Sequence, residues 1–151
     1  MKPYSAKRAA PERILLVDDN ERGLRVRQVV LEELGYEVVP FSCGVEALKH
    51  FSSHPFDLVV TDYRMPLLDG IQLIERIREQ TPAIPIVLIS GLAETLGLNE
   101  ANTGADIVVQ KNCHEVTALT RAVIRLMSRK QPRKPVRLQN SQSARAAVAG
   151  R

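Results

Sequence analysis

Four short apolar runs in this chain each end in a polar residue suited to binding or reaction. Ile14-Leu15-Leu16-Val17 leads into Asp18-Asp19, and Leu58-Val59-Val60-Thr61 into Asp62. Ile86-Val87-Leu88-Ile89 leads into Ser90, and Ile107-Val108-Val109-Gln110 into Lys111. Unbroken Val/Ile/Leu runs of this length read as strands covered on both faces, the pattern of a parallel sheet. If the runs are neighbours, all five polar side chains emerge at one carboxyl edge, where open α/β sheets bind ligands.

The segments between the runs carry a helical period. Asn20 is a good N-cap for a helix reaching about Leu34, with Leu24, Val30, Leu31 and Leu34 on one side and Gly35 ending it. Glu37–Phe41 reads as a further strand; Pro40 cannot donate to a ladder, so this strand belongs at an edge. Ser42 or Cys43 opens a short helix through Val45, Leu48 and Phe51, and His54-Pro55 breaks the chain before a strand at Asp57–Thr61. A helix at Gly70–Glu79 turns Ile71, Ile74 and Ile77 inward. A weaker helix is expected near Glu94–Asn102, a strand at Asp106–Gln110, and a last helix at Glu115–Arg129 with Val116, Leu119, Val123, Leu126 and Met127 as its apolar face. The alternation gives a (βα)5 chain, an α/β doubly wound parallel sheet.

Charge divides the 151 residues into three parts. Residues 1–13 carry a net +3, residues 14–128 a net −6, and residues 129–151 a net +7. The expected organisation is a basic tail at 1–12, a folded unit at 13–129 and a basic tail at 130–151 that lacks any lasting period and reads as disordered. No apolar run approaches the roughly 18 residues of a membrane span, and the N-terminus lacks the apolar core of a secretory signal, so a cytoplasmic protein without a membrane partner is expected. Cys43 and Cys113 have no second Cys or His at zinc spacing and read as inert small residues. His50, His54 and His114 read as surface residues.

Taken singly, the five polar residues have ordinary readings: a helix cap for Asp18 or Asp19, a loop carboxylate for Asp62, a solvated lysine for Lys111. Together at one sheet edge they point to chemistry. Three carboxylates repel one another and call for a divalent cation, while a lysine and a hydroxyl beside them suit a phosphoryl group.

The pieces ILLVDDN, DLVVTDYRMPLLDG, VLISG and GADIVVQK, in this order and spacing, resemble the receiver domain of two-component response regulators over about Arg13 to Met127. The resemblance implies a flavodoxin-like fold with strand order 2-1-3-4-5. It implies that Asp62 accepts a phosphoryl group from a histidine kinase or a histidine phosphotransfer protein. Asp18, Asp19, Asp62 and the backbone carbonyl of Arg64 would hold Mg²⁺. Lys111 would pair with a phosphoryl oxygen, and Ser90 would hydrogen-bond to another. Such a chain is a signalling protein that catalyses its own phosphorylation and dephosphorylation, not a metabolic enzyme.

Two positions depart from the family pattern. Asn112 follows Lys111 where proline is usual; a non-proline cis bond costs about 3 kcal/mol, so a trans bond and a reshaped loop are expected. Val108 stands where the family usually carries Tyr or Phe as a rotating switch, and a β-branched side chain is stiff at χ1. Arg64, two residues past Asp62, adds a cation near the site.

The remainder after Arg129 is too short for a DNA-binding output domain, so a stand-alone receiver that relays or absorbs phosphoryl groups is the leading expectation. The competing readings are a receiver detached from a larger hybrid kinase, a pseudo-receiver that only binds protein, and a receiver whose basic tail binds nucleic acid. The tail has no interleaved aromatic residue for base stacking, so nucleic acid is not the expected partner.

Overall fold

Ile14, Leu15, Leu16 and Val17 are all fully buried, although successive side chains of a strand point to opposite faces. Both faces of the sheet are therefore covered. The computed structural model describes residues 10–130. Its strands are β1 (Arg13–Val17), β2 (Glu37–Phe41), β3 (Leu58–Asp62), β4 (Ile86–Ser90) and β5 (Ile107–Gln110). The helices are α1 (Glu21–Glu33), α2 (Gly44–Phe51), α3 (Gly70–Gln80), α4 (Glu100–Thr103) and α5 (Glu115–Lys130). All strand pairs are parallel, in the order β2-β1-β3-β4-β5, as the resemblance implied. Pro40 does lie on an edge strand, paired on one side only, to β1. No helix among the described residues is long and apolar enough to cross a membrane.

Two apolar layers follow from the pleat. On one face, Ile14, Leu16, Val60, Val87, Ile89 and Val109 pack against Leu31 of α1 and Leu119, Val123 and Leu126 of α5. On the other, Leu15, Val17, Val59 and Leu88 pack against Ala47 and Phe51 of α2 and Leu73, Ile74 and Ile77 of α3. Each fully buried Leu or Ile contributes about 1.5–3 kcal/mol relative to exposure, so these layers hold the strand ends in place.

The expected elements recur with local differences. Leu34 and Val116 are 40% and 41% exposed, not inward. His50 is half-buried, its ring stacked on His54 at 3.8 Å and tilted against Phe41 and Phe56. The helix expected near Glu94–Asn102 is reduced to the single turn Glu100–Thr103. Before it, residues 92–98 form isolated turns, with Leu96 N–H donating to the Leu92 carbonyl at 2.8 Å and Leu98 N–H to the Ala93 carbonyl at 2.8 Å. Gly97 then takes a left-handed φ of 61°, and Asn99 caps a new turn through the Asn102 N–H. The expected basic tails fall almost wholly outside the described residues.

Candidate functional site

Asp62 is the last residue of β3 and is 4% exposed. Its Oδ1 accepts the Tyr63 N–H at 3.0 Å and lies 2.9 Å from Nζ of Lys111. The turn after it is held tightly. Gly70 N–H donates to the Tyr63 carbonyl at 2.8 Å, and a Cβ at Gly70 would stand 2.3 Å from the Asp62 carbonyl oxygen. Only glycine permits that approach, which brings the start of α3 back against the end of β3. Between them, Leu67 adopts φ 70° at the exposed tip of the loop, and Leu68 N–H donates to the Pro66 carbonyl at 2.8 Å. Asp69 caps α3 in a reciprocal box with Gln72.

Asp18 follows β1, the strand beside β3, and is 1% exposed. Its Oδ1 accepts the Asn20 N–H at 2.9 Å, and its Oδ2 accepts from the Arg27 guanidinium. Asp19 is exposed. One carboxylate oxygen from each of Asp18, Asp19 and Asp62 lies within 4.8 Å of the others. Burial pushes the Asp62 carboxyl up to about 6; Asp18 adds to the rise, and the Lys111 ammonium opposes it. Hard oxygen donors at this spacing, one of them reluctant to ionise beside another carboxylate, fit a small divalent cation.

Ser90 ends β4 and is 2% exposed. Its Oγ accepts the Leu92 N–H at 3.0 Å, which leaves its O–H as a donor. Lys111 N–H donates to the Ser90 carbonyl at 3.0 Å, so the ends of β4 and β5 are joined at the site. The expected trans bond at Asn112 is present, there being no cis peptide among the described residues. Asn112 Oδ1 accepts the His114 N–H at 2.8 Å and its carbonyl accepts the Glu115 N–H at 3.1 Å, so the residue in the proline position closes the turn that leads into α5. Arg64 is exposed on the loop after β3.

The five sequence-predicted side chains thus share one sheet edge, and three residues of the site were not foreseen. Arg27 is 6% exposed and is the one buried basic residue among the described residues. Besides Asp18 it contacts Glu115, its Nε donating to Oε1 at 2.8 Å. The third is Gly23, in the first turn of α1. A signal for Arg27 was present: with Leu24 and Leu31 it falls at helical spacing on the inward stripe of α1, where a charge needs a partner.

Residues 14–123 match the response regulator receiver domain. The chain belongs to that family. Among curated relatives, this receiver domain is 37% identical over 120 residues to the alkaline phosphatase synthesis transcriptional regulatory protein PhoP of Bacillus subtilis; the match covers 76% of this chain and 49% of PhoP. The receiver thus spans about half the length of that relative. Among solved structures, it is similar to the response regulator TrrA of Thermotoga maritima in complex with Mg²⁺-BeF, with TM-score 0.69, 31% identity, and coverage of 76% of this chain and 98% of that one. It is also similar to the receiver domain of a sensor histidine kinase from Pseudomonas aeruginosa with a magnesium ion in its active site cleft, with TM-score 0.71, 28% identity, and coverage of 79% and 99%.

Proposed function

We propose that this receiver domain, residues 13–129, takes a phosphoryl group onto Asp62 from a histidine kinase or a histidine phosphotransfer protein. The observation that carries the reading is the position of the Asp62 carboxylate: buried, 2.9 Å from the Lys111 ammonium, and clustered with Asp18 and Asp19. In the reaction a carboxylate oxygen of Asp62 attacks phosphorus. The N–P bond of the donor phosphohistidine breaks, and its electron pair goes to the imidazole nitrogen. The product is an acyl phosphate on Asp62.

Each neighbour has a task in this scheme. Lys111 passes from Asp62 to a phosphoryl oxygen and neutralises charge there as a compact point charge. Ser90 donates its free O–H to a second phosphoryl oxygen. Asp18, Asp19, Asp62 and the Arg64 backbone carbonyl would hold Mg²⁺, which supplies charge neutralisation between carboxylate and phosphate. The Tyr63 N–H holds the orientation of the Asp62 carboxylate at 3.0 Å.

The test is incubation of the full chain with a small acyl phosphate and Mg²⁺, read by intact mass. Wild type gains the mass of one phosphoryl group and Asp62→Asn gains none. Equal gain in both proteins overturns the assignment.

A further inference from the structure

Arg27 is placed as an internal cation at the acidic cluster. Its guanidinium reaches Asp18 on one side and Glu115, the first residue of α5, on the other. The three groups are 7%, 1% and 19% exposed at their side chains, so water screens the pairs weakly. Burial alone would lower the Arg27 pKa, but the bonds to Glu115 and Asp18 outweigh it and raise it above its ordinary value. Arg27 is therefore charged at any working pH.

A second observation is the close approach of α1 to this pair. A Cβ at Gly23 would stand 2.9 Å from Asp18 Oδ2 and 3.1 Å from Arg27 Nη1. Glycine here leaves the space that the Asp18–Arg27 contact fills.

We propose that Arg27 is a positioning residue that competes with the divalent cation for Asp18, and that Glu115 sets the strength of the competition by drawing the guanidinium toward α5. The proposal rests on the reading that Asp18, Asp19 and Asp62 hold Mg²⁺. With no ion, Arg27 divides its donors between the two carboxylates and keeps Asp18 partly neutralised. When Mg²⁺ enters, its charge weakens the hold of Asp18 on Arg27, and the guanidinium shifts its bonds to Glu115. Ion occupancy is thereby linked to the first turn of α5. By reciprocity, a partner that engages Glu115 changes the affinity for the ion by the same factor as the ion changes the affinity for that partner.

The experiment is an NMR titration of the full chain with MgCl₂ at pH 8, in four proteins: wild type, Arg27→Met, Glu115→Gln and the double variant. Arg27→Met removes the competitor and tightens Mg²⁺ about fivefold, while Glu115→Gln removes the charge that draws Arg27 toward α5, leaves Asp18 its stronger partner and weakens Mg²⁺ about fivefold. In the double variant, the Glu115→Gln step has less than about a twofold effect, because its action passes through Arg27. A buried carboxylate stripped of its partner can unfold a domain. If Arg27→Met does not fold, Arg27→Gln takes its place, neutral but still able to donate to Asp18. Weaker or unchanged Mg²⁺ binding on loss of Arg27 overturns the inference. So does an equal Glu115→Gln effect in both backgrounds, which marks simple through-space charge. Wild type that binds no Mg²⁺ overturns the reading of the acidic cluster as well, so the two failures are distinguishable.

Discussion

Lys111 reaches across β4 to place its ammonium 2.9 Å from Oδ1 of Asp62, joining residues that follow β5 and end β3, two strands that do not touch. With neighbouring strands about 4.8 Å apart, the lysine stem and the Asp62 side chain together bridge the two strand spacings between β3 and β5. A shorter cation in this place would fall short. Lys111→Met removes the charge that opposes the upward push on the Asp62 carboxyl and the charge that would meet the phosphoryl oxygens. The expected outcome is a fall of at least about tenfold in phosphorylation rate at neutral pH, read by intact mass over time. An unchanged rate places the lysine outside the chemistry.

Metal-free stability carries its own pH signature. The Asp62 carboxyl keeps its proton up to about 6 when folded, against an ordinary value of 3.8. Between those values the folded state binds more protons than the unfolded one, so stability falls as pH rises through the window. Above it the penalty is fully present. Asp62→Asn removes the penalised charge. In EDTA its melting temperature should exceed wild type at about pH 7.5 and match it near about pH 3.5. Equal differences at both pH values argue against a buried, reluctant carboxyl.

Mg²⁺ affinity should depend on the exposed member of the acidic pair. Asp19→Ala removes one of three converging carboxylates and weakens Mg²⁺ at least about tenfold, or about 1.4 kcal/mol. Because Asp19 is exposed, the substitution should leave the fold intact, which circular dichroism will check. A titration superimposable on wild type removes Asp19 from the ion site.

Output should be muted. Val108 on β5 offers no ring to exchange between buried and exposed positions, and a modification shifts an equilibrium only by its differential contacts. Hydrogen exchange of free and phosphorylated protein should differ mainly in the loops after Ser90 and Lys111. A broad change over residues 94–110, together with phosphorylation-dependent dimerisation in light scattering, would show that the signal travels without an aromatic switch.

The buried strands were legible because Val/Ile/Leu runs admit few alternatives, and the residues closing those runs marked the site edge. β2, β4 and most helices were expected within a residue or two. What escaped were features that depend on tertiary partners. Arg27 sits at a core position that pattern alone assigns to an apolar residue, and only Asp18 and Glu115, nine and 88 positions away, make the charge tolerable there. The length of α4 was overestimated because helical spacing in residues 94–102 outweighed Gly97, whose left-handed backbone interrupts the turns. Val116 and Leu34 fit their helical stripes yet are 41% and 40% exposed, because a stripe read from spacing alone does not say where along the helix the packing partners end.

The one-turn α4 changes what recognition of this face would require. Residues 92–98 hold turn hydrogen bonds and one bond to β5, from Glu94 N–H to Gln110 Oε1 at 3.1 Å, and Leu96 is 50% exposed. A full helix here would have to be completed on a partner's surface, as coupled folding and binding. Part of the gross contact energy would then go into ordering the chain, giving modest affinity for a given contact area. Discrimination between targets would rest on whether each can complete the helix, so substitutions at Gly97 or Asn99 would retune partner choice without touching Asp62.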